Sequence, residues 1–161
     1  KTLHLSKDVY HGTNASAAGV AAHEVGHALQ HAENYFPMWL RSFIVPAANI
    51  GSNLGPWLVI IGIVLMSVQS LGFGQSVAIF GVALFALSTV FTFVTVPVEF
   101  DASNRAKKRL QVLNIVQQGR EYKAVSAVLL AAGLTYVAAA IQSLMQLVYW
   151  AIRAGLLRNN D

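Results

Sequence analysis

Between Arg41 and Glu99, and again between Lys123 and Arg153, the chain carries no Asp, Glu, Lys or Arg, whereas the stretch from Glu99 to Lys123 holds nine of them. A helical protein in water needs charge on the outer face of every surface helix, so apolar runs of this length call for a different solvent. A mean hydropathy of +0.53 and a charged fraction of 11% over 161 residues point the same way. The expected fold is all-α and polytopic, with the lipid bilayer as its surroundings.

Along the chain, the alternation of Leu3 and Leu5 with Thr2 and His4 admits one short N-terminal edge strand over residues 1–6. A turn at residues 11–14 then leads into an Ala-rich, strongly helix-forming segment, 15–34. Residues 36–53, broken by Pro37 and Pro46 and holding Trp39 and Arg41, read as an interfacial segment. Two runs of spanning length, 54–71 and 76–96, flank an uncharged turn of Gly72, Phe73, Gly74 and Gln75 and make a hairpin that returns to one side. A charged helical segment, 99–123, precedes a third span over 124–150, with Tyr149 and Trp150 suited to an interface.

These signals describe a single membrane-embedded domain over 1–161. It divides into strand and first helix (1–35), interfacial segment (36–53), hairpin (54–97), charged helix (98–123) and third span (124–150). The net charge of +4 is explained by basic residues at the ends of spans, so no nucleic-acid partner is expected. Arg105, Lys107, Lys108, Arg109, Arg120 and Lys123 outweigh Arg153 and Arg158, which assigns the segment after the hairpin to the cytoplasm.

On the first long helix lies His23-Glu24-Val25-Gly26-His27. Two imidazoles four residues apart on a helix share a face and can bind one metal ion. Glu24 is then placed to take a proton from a water held at that ion. Ser16, Val20, His23, His27, His31 and Asn34 form one stripe, while Ala17, Ala18, Ala21, Ala22, Gly26, Ala28 and Ala32 offer other faces small enough for a neighbouring helix to come close. With no Cys in the chain, a metal must be held by His and carboxylate.

A hydrolytic zinc site takes three protein ligands. Glu33 would lie about 9 Å along a continuing helix from His27, too far to share an ion. His31, a helix neighbour of His27, fits a residue behind a ligand or facing solvent better than a ligand. Neither run of the hairpin supplies an acid. Glu99 and Asp101 remain, at the expected head of the helix that follows the second span, where an acid would also offset the helix dipole. Glu99 is the expected third ligand.

Four blocks carry a family resemblance: residues 23–31, 41–52, 96–103 and 134–140. In that order they resemble the YugP-like family of bacterial zinc-dependent membrane peptidases, over nearly the whole chain. The resemblance implies a neutral zinc metallopeptidase in the bacterial cell (inner) membrane, with Zn2+ held by His23, His27 and Glu99 and with Glu24 as base. It also implies a gluzincin-like order, in which a transmembrane hairpin separates the His pair from the Glu. Two departures stand out. The chain begins at Lys1, whereas the family continues upstream with another span and a small soluble region, so an N-terminally truncated fragment is expected. The superfamily's Asp four residues after its ligand Glu is Ser103 here, which leaves Asp101 or Asn104, with His31, as candidates to orient the ligand histidines.

The expected function is an integral-membrane zinc endopeptidase acting on peptide or protein substrates from the cytoplasmic side, with the edge near Leu3 to Leu5 able to pair with an extended substrate. The alternative is a membrane scaffold that keeps the zinc site as a structural clip; the intact Glu24 argues against it, since such a site has no use for a base. A transporter is disfavoured because neither span of the hairpin carries an ionisable group.

Overall fold

Asn14 accepts a hydrogen bond from the Ala17 amide, at 2.8 Å, and so caps the first long helix. In a computed structural model that describes residues 2–68 and 72–157, five helices follow one another: α1 (Lys7–His11), α2 (Ala15–Ala32), α3 (Phe36–Ser67), α4 (Gly74–Val112) and α5 (Arg120–Arg153). No strand occurs among the described residues. The edge strand expected at the N-terminus is therefore absent: residues 2–6 run without helical or strand pairing, with Leu3 exposed and Leu5 half-buried. Alternating leucines make a strand only where a second strand answers their backbone groups.

Three helices end in one way. Asn34, Asn114 and Gly155 adopt left-handed φ values of 53°, 51° and 79°. The residue after each donates back to a carbonyl of its helix: Tyr35 to Gln30, Ile115 to Leu110 and Leu156 to Ala151, at 2.9, 3.0 and 3.0 Å. These bonds are the Schellman closure, which satisfies carbonyls that a helix end would leave bare.

α3, α4 and α5 are each long and apolar enough to cross a membrane. The protein is an all-α polytopic membrane protein. Neither Pro46 nor Pro56 interrupts α3, and Pro97 lies inside α4. The interfacial segment expected at 36–53 is thus the first part of one helix that continues into the apolar run. Likewise, the second apolar run and the charged residues after it are one helix. Each internal proline removes one backbone donor, yet where water cannot take over the freed carbonyls the remaining helical bonds hold the chain in register. The charged segment expected at 99–123 does break, between Val112 and Arg120, at the Asn114 closure and at Gly119 with φ 105°.

The chain forms two compact units. One comprises the residues up to Leu40 together with Thr95–Val137; the other comprises Arg41–Val94 and the chain from Ala138 on. In the second unit, α3 and α4 run antiparallel and nearly touch backbone to backbone. A Cβ on Gly55 would lie 2.9 Å from the Gly81 carbonyl oxygen, and one on Gly81 would lie 2.7 Å from that of Gly55. Gly51 faces Leu84, and Gly62 faces Ala78, as closely. Small residues at such contacts let helices pack tightly where lipid leaves no hydrophobic drive between them. Val59, Ala78, Val82 and Ala154 form the buried cluster, and Thr89 and Ser143 join α4 to α5 through their hydroxyls at 2.9 Å. Phe43, Trp57, Phe80 and Phe93 stay exposed, as suits a lipid-facing surface.

In the first unit, α2 packs against the last turns of α4 and the start of α5. Ala22 joins Ala106, Leu110, Val116, Val125 and Leu129 in one buried cluster. The small-residue faces of α2 do what the sequence analysis expects: a Cβ on Gly26 would come within 2.3 Å of the Ala102 carbonyl oxygen. That contact brings the histidine-bearing helix against the segment with Glu99.

Candidate metal centre

His23 and His27, one turn apart on α2, turn their Nε2 atoms to one oxygen of Glu99 on α4. His23 Nε2 lies 3.1 Å from Glu99 Oε2, and His27 Nε2 lies 3.5 Å from it. One donor atom from each of the three residues falls within 4.8 Å of the others, the spacing of a group that could hold a metal ion. The rings cross edge to face, with centroids 4.6 Å apart. Glu99 is 1% exposed, and it sits well inside α4 rather than at the head of a helix, because α4 runs through Pro97. The dipole-offsetting role considered for an acid at this position therefore has no basis in the fold.

Behind the rings, His23 Nδ1 meets Ser103 Oγ at 3.1 Å and His27 Nδ1 meets Gln30 Oε1 at 2.9 Å. Gln30, fully buried, donates from Nε2 to the Val98 carbonyl at 2.8 Å and to Asp101 Oδ2 at 2.9 Å. Asp101 accepts from Arg105 Nε at 2.5 Å, and Arg105 also pairs with Glu33 and lies over the Tyr35 ring, 5.4 Å from its centroid. Burial and then the Asp101 carboxylate raise the Tyr35 phenol above its ordinary value, against the opposing pull of Arg105.

The remaining candidates fall outside this cluster. Asn104 is exposed and lines a cavity of about 390 Å³ with Glu33, Asp101 and Arg105, away from the Nδ1 atoms that Gln30 and Ser103 hold. Glu33 is exposed and engaged with Arg105. His31, also exposed, lines a groove of about 400 Å³ with Thr2, Leu3, Glu24, His27 and Ala28. Glu24 thus shares an open groove with one histidine of the cluster. Reading the sequence misses both residues that hold the rings. Ser103 appears there only where the superfamily has an Asp, and Gln30 is given no role; a signal was present, since Gln30 is three residues from His27 and so its helix neighbour.

The donor set fits a divalent zinc-like ion. Val98 O and Asp101 Oδ2 can only accept, so the Gln30 amide must turn its NH2 to them and its oxygen to His27. His27 Nδ1 then carries the proton, and Nε2 presents a lone pair toward the acceptor oxygen of Glu99. Two acceptors facing each other around a buried carboxylate are stabilised by a cation between them.

Fold and site together define an all-α membrane protein in which two half-buried histidines and a buried carboxylate form a group that could hold a metal. This chain belongs to the family described as "Putative neutral zinc metallopeptidase", whose model matches residues 1–155. It is 42% identical over 148 residues to the "Putative membrane protease YugP" of Bacillus subtilis (strain 168), an alignment covering 92% of this chain. The chain spans 62% of that relative's length. No solved structure matches it. The family resemblance expected from the four sequence blocks is borne out.

Proposed function

We propose that this chain is the metal-bearing part of an integral-membrane zinc endopeptidase. The observation that carries the reading is the convergence of both Nε2 atoms on the buried Glu99 carboxylate, with both Nδ1 atoms held from behind. Zinc held by His23, His27 and Glu99 would polarise a scissile carbonyl and make a water acidic near neutral pH. Glu24 acts as general base, accepting the proton of the attacking water and passing it to the leaving amine. The groove beside Glu24 and His27 takes the peptide, with Leu3 as part of its wall. Residues 2–6, which lie in neither helix nor strand, give a substrate backbone something to lie along.

Zinc analysis of purified variants, with a peptide-cleavage assay, tests this assignment. Glu99→Ala is expected to lower zinc occupancy markedly, whereas Glu33→Ala leaves it near wild type, since Glu33 is turned to Arg105. Zinc lost with Glu33→Ala and kept with Glu99→Ala would overturn the ligand set. Zinc retained with no peptidase activity in any preparation, including one extended upstream, would favour the scaffold.

The reading includes a bacterial cell membrane with the site on the cytoplasmic side, because moving Lys107, Lys108 and Arg109 across a bilayer is disfavoured. In this cysteine-free chain, single cysteines at the exposed Ser16 and Gln118 should resist a membrane-impermeant thiol reagent in intact cells. A cysteine at Gly72, which has open space around it, should label. Labelling at Gln118 without labelling at Gly72 would place the site outside.

A further inference from the structure

The two imidazoles of the site are held by partners of unlike chemistry. Gln30 offers His27 a carbonyl oxygen, and that amide cannot be turned over without aiming its oxygen at Val98 O and Asp101 Oδ2, two more acceptors. With the side chain fully buried, no water is at hand to repair the mismatch. Ser103 offers His23 a hydroxyl, which donates or accepts by rotation alone. One ring is therefore locked and the other adaptable.

We propose that Gln30 is a positioning residue of the metal centre: it fixes His27 as the Nδ1–H tautomer, so that the Nε2 lone pair is already aimed at the ligand cluster, while Ser103 lets His23 take either tautomer. The proposal rests on the reading of His23, His27 and Glu99 as ligands. Asp101 then acts on the site at one remove. It is anchored by Arg105, it holds the Gln30 amide, and the amide holds the ring. An amide inserted between carboxylate and imidazole does the orienting work that a carboxylate alone does in many zinc sites. His23, with an alcohol behind it, can instead exchange the proton on Nε2 for one on Nδ1 as its ring turns from hydrogen-bonding Glu99 to ligating a cation.

Tautomers are read directly from two-bond proton–nitrogen correlations in protein carrying ¹⁵N-histidine, purified in detergent and stripped of metal with a chelator. The His27 signals are identified by their loss in His27→Gln. Wild-type His27 is expected wholly as Nδ1–H. Gln30→Met should mix the two forms and weaken zinc binding by roughly 10- to 100-fold. Asp101→Asn, which leaves Gln30 in place, should keep the tautomer and lose less affinity. Ser103→Asp should convert His23 to a single Nδ1–H form. Wild-type His27 found as Nε2–H would overturn the proposal, and so would wild-type zinc affinity in a folded Gln30→Met. Should that variant not fold, the wild-type tautomer still decides. Wild type that shows the locked His27 but takes up no zinc would instead sink the zinc reading and leave the lock standing.

Discussion

Glu24→Gln is expected to keep zinc near the wild-type level and to lower peptide hydrolysis by roughly a hundred- to ten-thousand-fold, the usual contribution of a positioned acid–base group. His27→Ala, by contrast, should drop zinc content to roughly a tenth or less, because two remaining ligands hold the ion poorly. The contrast follows from where the side chains lie. His27 belongs to the cluster that converges on Glu99, whereas Glu24 lines the groove beside it and contributes no atom to that cluster. Metal analysis and cleavage of a peptide library on the same samples check both halves. Zinc lost from Glu24→Gln as fully as from His27→Ala would mean that Glu24 is a ligand and that the base lies elsewhere.

Two glycines of α2 should respond in opposite directions to the same added methyl group. At Gly26 the new Cβ would lie 2.3 Å from the Ala102 carbonyl oxygen and 2.9 Å from its carbon, so α2 and α4 must move apart. Overpacking of this kind costs about 1–3 kcal/mol, and backbone has no rotamer with which to yield. The separation also pulls His23 and His27 away from Glu99, so zinc affinity should fall by roughly tenfold or more, as sites about 1 Å too loose generally fail. At Gly19 the methyl would meet Val125 Cγ1 at 3.5 Å, an ordinary contact. There the gain in helix propensity, about 0.5–1 kcal/mol, should show as a higher Tm with zinc binding unchanged. Thermal unfolding in detergent and zinc titration separate the two. Equal behaviour of Gly19→Ala and Gly26→Ala would show that helix approach does not set the site.

Much of the fold was legible because bilayer thickness and charge cost are crude, strong rules. The charge-free runs after Arg41 and after Lys123 both appear as long apolar helices, and α2 ends within two residues of its expected limit. The meeting of His23, His27 and Glu99 was legible in residue types and spacing, since only a carboxylate from another helix could join a pair on α2. What escaped was the continuity of α3 and α4 through Pro46 and Pro97: a proline signal is calibrated on helices whose broken turns water can solvate. The break after Val112 did carry its sign, an Asn and then, five residues on, a Gly, but nine charges masked it as one helix. Gln30 and Ser103 escaped for a different reason. A hydrogen bond from Ser103 to a ring eighty residues away has no local pattern, and family expectation directed attention to the acids.

Gly55 and Gly81 each present a backbone oxygen to the place where the other's Cβ would stand. The obstacle at either position is an atom that every amino acid carries, so no change at one position makes room for a change at the other. Selection can hold both fixed but cannot let them drift as a compensating pair. Among related sequences this contact of the hairpin should therefore carry almost no covariance, and inference of contacts from correlated substitutions would be least informative where backbone meets backbone.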